Sequence, residues 1–261
     1  MQSPYFMHPI CDKRAPQNPA ANSSQTMPIW KRSIDITCCL VALPFLAMCA
    51  LVMTVVTMLV SPGPVFFRQE RIGYQGRRFK IYKFRTMTVG ADTSAHQSYF
   101  NDLIGSNSPM VKMDAHGDAR LIPCGWLLRA SGLDELPQLI NVLRGEMSLV
   151  GPRPCIPTEF ERYLPWQQKR VDAVPGLTGL WQVSGKNHTT FEEMIHFDLT
   201  YARTISPWLD LKIMCQTVPT VLEETRRAYP RRKSLAEHNH TTAPMVPLRV
   251  SPNSRSPFYS S

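Results

Sequence analysis

Asp134 and Glu135 stand side by side, with Arg129 five residues before them and Arg153 further along the chain. Adjacent carboxylates near guanidinium groups suit phosphoryl chemistry. The carboxylates can share Mg²⁺ that bridges a diphosphate, and arginine forks can clamp phosphate oxygens two at a time. Leu136, Leu139, Ile140 and Leu143 follow at helical spacing, so the pattern predicts a helix over 134–144. Pro137 is tolerated only in a first turn and Gly145 supplies a stop, which places the acidic pair at the helix N-terminus. Free N–H groups and the helix dipole there attract anions and hold a carboxylate ionised. Ordinary helix capping also puts acidic residues in a first turn, and local physics favours that plainer reading. Lys83 and Arg85 are further phosphate candidates, although their alternation with Phe84 equally fits a solvated strand face. Arg68 and Arg71 suit lipid headgroups. The seven histidines show no metal-ligand spacing, and there is no phosphate-binding glycine loop or nucleophile elbow.

These residues need elements to hold them. Val65–Met87 reads as strand, turn and strand, with Gly73-Tyr74-Gln75-Gly76 as the turn. Ala91–Met113 reads as polar helix and loop, and Cys124–Ala130 as a short helix after Pro123. Gly151-Pro152-Arg153-Pro154 and Pro175-Gly176-Leu177-Thr178-Gly179 read as rigid loops. Phe191–Thr204 and Leu209–Leu222 read as helices, the second suited either to a membrane surface or to core packing.

Ile36–Val60 carries no charge and exceeds the roughly 20 apolar residues that cross a bilayer core. Pro44 lies inside it and predicts a kink. Lys31 and Arg32 guard one end and Arg68, Arg71, Arg77 and Arg78 the other. A helix that bends near Pro44 and returns to the same face satisfies the positive-inside rule at both ends; an ordinary kinked span remains the alternative. The chain carries +9 overall. Residues 31–85 hold nine basic residues against Asp35 and Glu70, and the stretch after Leu222 holds seven against three. Positive charge around an apolar segment fits a surface facing anionic lipid or phosphate and argues against nucleic acid as the partner. Seven cysteines without a paired C-x-x-C spacing suggest neither a disulfide framework nor a zinc site.

In order along the chain come Lys31-Arg32 with Asp35, Ser61-Pro62-Gly63-Pro64-Val65-Phe66-Phe67-Arg68-Gln69, and Lys83-Phe84-Arg85-Thr86-Met87. Leu133-Asp134-Glu135-Leu136-Pro137-Gln138-Leu139, Val150-Gly151-Pro152-Arg153-Pro154 and Pro175-Gly176-Leu177-Thr178-Gly179-Leu180-Trp181-Gln182 follow. This series resembles the bacterial sugar transferases, monotopic polyprenyl-phosphate phosphoglycosyl transferases, over about Lys31–Leu222. The resemblance implies Asp134 as nucleophile, Glu135 as its partner at Mg²⁺, and Arg129 as a phosphate-binding arginine. It also implies a re-entrant helix. The substrates would be a UDP-sugar and polyprenyl phosphate, and the products polyprenyl diphospho-sugar and UMP. Leu43 stands before Pro44 where the family often has Ser, and no further spanning helices precede the match, as in the small single-domain form.

The expected fold is therefore mixed α/β, a membrane re-entrant helix with a small cytoplasmic catalytic domain and interfacial helices. Residues 1–30 and the basic tail 223–261, rich in Pro and polar residues, are expected to be disordered. Residues 31–62 form the re-entrant helix, and 63–222 the catalytic domain, at the cytoplasmic face of the bacterial inner membrane. Downstream glycosyltransferases are natural partners. A membrane-anchored scaffold without catalysis would explain the apolar segment but not the acidic pair among arginines.

Overall fold

The structure, a computed structural model, describes residues 27–90, 120–123, 125–185 and 189–241. The expected helix and loop at Ala91–Met113 lie outside the described residues, as do 1–26 and 242–261.

Helix α1 (Ile29–Val60) has 32 residues, about 48 Å at the α-helical rise. Among the described residues it is the one helix long and apolar enough to cross a membrane. It runs through Pro44 without interruption, whose ring lies on the exposed side, away from the packed turns. One narrow stripe is buried: Lys31, Asp35, Cys39, Leu46, Met53 and Thr57, spaced by four or seven residues. The opposite face leaves Val41, Leu51, Met58 and Leu59 between 68% and 79% exposed. An exposed apolar face of that size is the kind of patch that marks a membrane or protein contact.

Both ends of α1 are fastened to the same body. At the N-terminal end Lys31 Nζ donates to Val150 O at 2.8 Å and Tyr201 Oη at 2.9 Å, and meets Asp210 Oδ2 at 2.5 Å. Arg32 donates to the carbonyls of Val142 and Leu143, while Asp35 accepts from Ser148 Oγ and Leu149 N. At the other end the Arg85 guanidinium donates to Ser61 and Pro64.

Strands β1 (Phe66–Ile72) and β2 (Arg78–Phe84) form the expected antiparallel hairpin, with Gln69 opposite Ile81 and Arg71 opposite Phe79. Its turn needs left-handed backbone at Gln75 and Gly76 (φ 54° and 75°), which a glycine adopts without cost. Helix α2 (Gly125–Ser131) leads to a 3₁₀ turn at Leu133–Gln138 and then α3 (Leu139–Leu143). The continuous helix expected over 134–144 is thus corrected. Pro137 has no N–H to give and its ring disfavours α geometry at Leu136, so the first turn tightens to 3₁₀.

Strand β3 (Ser148–Val150) pairs in parallel with β4 (Gly176–Thr178). The backbones pass so closely that a Cβ on Gly176 would lie 2.0 Å from Gly151 N. Between the strands lie short helices α4 (Pro157–Phe160) and α5 (Pro165–Gln168); α6 (Leu180–Val183) follows β4. Helix α7 (Phe191–Thr204) opens on a capping box between Thr190 and Glu193.

Helix α8 (Pro207–Thr241) continues well past Leu222, so the disorder expected from residue 223 does not hold up to Thr241. Contact with α2 extends it: Thr225 Oγ1 donates to Ala130 O at 3.1 Å, and the Glu223–Arg227 pair sits one turn apart. Ile81, Phe84, Ile122, Leu139, Val142 and Met147 make the main core with the buried stripe of α1. The fold is mixed α/β, as expected.

Candidate active site

The hairpin's two-residue alternation puts Arg71, Ile81 and Lys83 on one face, and all three line a cleft. Gly132, in left-handed backbone at φ 69°, turns the chain after α2 so that Asp134 and Glu135 reach the same place. Glu135 N donates to Gly132 O. Lys83 Nζ donates to Glu135 Oε1 at 2.6 Å, and a nitrogen of Arg153 lies 4.0 Å from the same oxygen. Arg153 reaches the cleft from a loop pinned at three points. Arg170 donates to Arg153 O at 2.9 Å, Arg71 to Pro154 O at 3.0 Å, and Ile72 N to Cys155 O at 2.9 Å.

The Asp134 side chain is nearly buried, with 8% of the residue exposed. Burial pushes its carboxyl up to about 6, opposed by Lys83, Arg129 and Arg153 and reinforced by Glu135. Burial also lowers Lys83, against the pull of Glu135. The helix-dipole account of Asp134 is therefore corrected. The α-helical part has five residues, and the acidic pair sits in the 3₁₀ turn before it. Side-chain cations, not a helix end, supply the positive field. Lys83, Arg153, Arg129 and Arg71 all act on one or both of the two carboxylates, an excess of positive charge that favours an anion.

Four sequence candidates, Asp134, Glu135, Lys83 and Arg153, meet here, and Arg129 lies close enough to act on the Asp134 carboxyl. Arg85 does not join them: its guanidinium is spent on Ser61, Pro64 and Met87. It clamps the end of α1 and is absent from the lining of the cleft. Arg71, read as a headgroup contact, is instead buried and lines the cleft. Gln138 and Gln182 line it too and were missed as site residues. Strand alternation could have placed Arg71 beside Lys83, but nothing local in the sequence pointed to the glutamines.

The donor set fits Mg²⁺ held jointly with a substrate. Asp134 and Glu135 offer hard carboxylate oxygens, and among the described residues no third acidic, His or Cys donor joins them. Mg²⁺ commonly takes one or two carboxylates and fills its shell with phosphate oxygens and water.

A family model described as bacterial sugar transferase matches residues 26–224. The UDP-galactose-lipid carrier transferase of Erwinia amylovora is 37% identical over 218 residues, covering 84% of this chain and 45% of that protein. The chain thus spans under half the length of that relative. The exopolysaccharide production protein ExoY of Sinorhizobium fredii is 36% identical over 74% of this chain and 85% of its own length. The UDP-glucose:undecaprenyl-phosphate glucose-1-phosphate transferase of Caulobacter vibrioides is 40% identical over 76% and 72%.

Proposed function

The chain belongs to the bacterial sugar transferase family, and on that premise we propose that it transfers a hexose 1-phosphate from a UDP-hexose to undecaprenyl phosphate. The products are undecaprenyl diphospho-hexose and UMP, the first membrane step of an exopolysaccharide or glycoconjugate. The names of the galactose and glucose relatives support a hexose donor. The carrying observation is a nearly buried aspartate, acted on by Arg129, beside a glutamate that lines a cleft with Lys83, Arg71 and Arg153.

In this reading Asp134 Oδ attacks the β-phosphorus, and the bond from that phosphorus to the bridging oxygen breaks. UMP leaves with the electron pair, and an aspartyl phosphosugar remains on the enzyme. A phosphate oxygen of the lipid then attacks the same phosphorus, displaces the carboxylate and regenerates Asp134. A carboxylate nucleophile divides one transfer between a soluble donor and a membrane lipid into two steps with one substrate each. Lys83 and Arg153 hold Glu135 and face the transferred phosphate, and Arg129 offsets its charge. Mg²⁺ held by Asp134 and Glu135 would neutralise diphosphate charge.

We further propose that α1 enters the cytoplasmic leaflet of the inner membrane and returns to its own side. The support is that Lys31, Arg32 and Asp35 at one end and Ser61 at the other bind one body, while Pro44 weakens the middle. A crossing helix would force that body through about 30 Å of hydrocarbon. The cleft then faces the cytoplasm, where a soluble nucleotide sugar reaches it. Single cysteines at Ser33 and Pro62, in a chain cleared of its own cysteines, test this with an impermeant thiol reagent in intact cells. Labelling at one site alone would show a span.

The enzymatic reading is tested by incubating the full chain with labelled UDP-hexose and no lipid. Label on the protein with an equal amount of free UMP is expected. UMP release that strictly requires lipid, with no adduct, would remove the covalent step.

A further inference from the structure

Among the described residues, three buried side-chain polar atoms lack a hydrogen-bond partner, and two of them belong to residues that line the cleft. They are Arg71 Nε, a donor, and Gln182 Oε1, an acceptor. The rest of each side chain is engaged. Arg71 donates to Pro154 O at 3.0 Å and Gln69 Oε1 at 2.7 Å, and Gln182 Nε2 donates to Leu177 O at 3.3 Å. Each residue is thus fixed in place with one polar atom left over. A buried polar atom without a partner costs about 1–3 kcal/mol, so folds retain such atoms where something else completes them.

We infer that Arg71 Nε and Gln182 Oε1 bind one hydroxyl of the donor's sugar ring, which accepts from the first and donates to the second. This rests on the proposed transfer from a UDP-sugar and assigns the part of that substrate which the cleft reads. A hydroxyl both accepts and donates, so one such group has the chemistry that each atom lacks. The uracil edge also carries a donor and an acceptor, but the lining of the cleft holds no aromatic ring on which a base would stack. Gln138, 3% exposed and also in the lining, adds a second amide suited to a polyhydroxylated ring. The cleft also contains Lys83, Glu135 and Arg153, so a sugar here stays next to the phosphate being transferred.

The wild-type chain in its membrane fraction is first tested for turnover with a panel of UDP-sugars; absence of turnover with all of them defeats the parent reading, not only this one. With the best donor, Gln182→Met is expected to raise KM about tenfold, as loss of one hydrogen bond implies, while inhibition by UDP, which has no sugar, is unchanged. A rise in the UDP inhibition constant matching the rise in KM would assign these atoms to the nucleotide and overturn the inference. Analogues of the best donor, each lacking one hydroxyl, give a second test that needs no variant. One position should cost the wild type about tenfold in kcat/KM, and the same deletion should cost Gln182→Met little more. Uniform small losses at every position in the wild type would overturn the inference even if Gln182→Met fails to fold.

Discussion

Two clusters of charge in this molecule use the same residue types to opposite ends. Arg170 and Asp198 meet at 2.5 Å with side chains 3% exposed. The Arg170 guanidinium also donates to Tyr163 Oη and Arg153 O. Lys31, Asp210 and Tyr201 close in the same way around Val150 O. In the cleft, Lys83 and Glu135 are as close, at 2.6 Å, yet 16% and 25% exposed, and Arg153 is 38% exposed. Burial raises both Asp134 and Asp198 to about 6. A perturbed carboxyl therefore does not separate a site from a strut. What separates them is completion. The Arg170–Asp198 pair satisfies its charges internally, whereas the cleft gathers more cations than carboxylates and keeps a buried donor and acceptor unmet; beside the Lys31 cluster only Asp35 Oδ2 is left over. A buried ion pair of the first kind contributes definition more than net stability.

Substitution should expose that difference. The largest effect is expected from Asp134→Asn, which keeps the shape and removes the proposed nucleophile. UMP release should fall by at least about a thousandfold, with the thermal transition in detergent held or raised. Near-normal turnover would place Asp134 among the struts. Asp198→Ala should do the reverse, leaving a buried guanidinium uncompensated at a cost of about 3–5 kcal/mol. Denaturant unfolding would read that loss. Turnover per folded molecule should fall far less than in Asp134→Asn, and equal losses would dissolve the distinction.

A pH profile sharpens the comparison without mutation. In the proposed mechanism the raised carboxyl of Asp134 must be ionised to attack, so kcat/KM should rise with pH up to about 6 and level off, falling near tenfold per unit below. For stability the sign is opposite. The folded chain binds a proton at Asp134 more tightly than the unfolded chain, whose value is near 3.8. That contribution is present below about 4 and lost as pH rises through about 6. Asp134→Asn should remove both dependences, and a rate profile flat across pH 5–7 in the wild type would deny Asp134 its role. The smallest effect belongs to Arg227, whose pairing with Glu223 is over 60% exposed on both sides. Arg227→Ala should change unfolding free energy by no more than about 0.5 kcal/mol.

Local chemistry was legible in the sequence wherever neighbours decide the outcome. The β1–β2 hairpin follows from its turn residues, and α7 runs from Phe191 to Thr204 as its pattern indicates. The acidic pair and its arginines stand out by type and spacing. The rest depends on distant partners. Lys83 finds Glu135 52 residues away, Arg85 turns to Ser61 instead of phosphate, and α8 is carried past Leu222 by packing on α2. Pro137 gave a correct helix start but not its tightness, since propensity does not choose between α and 3₁₀ geometry. Arg71 looked like any basic strand residue until the hairpin's other face was covered.

The clamps on α1 also set an order of events during synthesis. The helix leaves the ribosome first, but the groups that hold its beginning, from Val142 to Asp210, lie 110 to 179 positions later. At roughly 5–20 residues per second, that is a delay on the order of ten seconds. Throughout it Lys31, Arg32 and Asp35 lack their partners, and the exposed apolar face of α1 has no protein cover. In the proposed reading a lipid leaflet shelters that face first, so the bilayer serves as a folding partner before it supplies a substrate. In that reading Asp210, the last of these groups to arrive, locks a helix already seated in the bilayer.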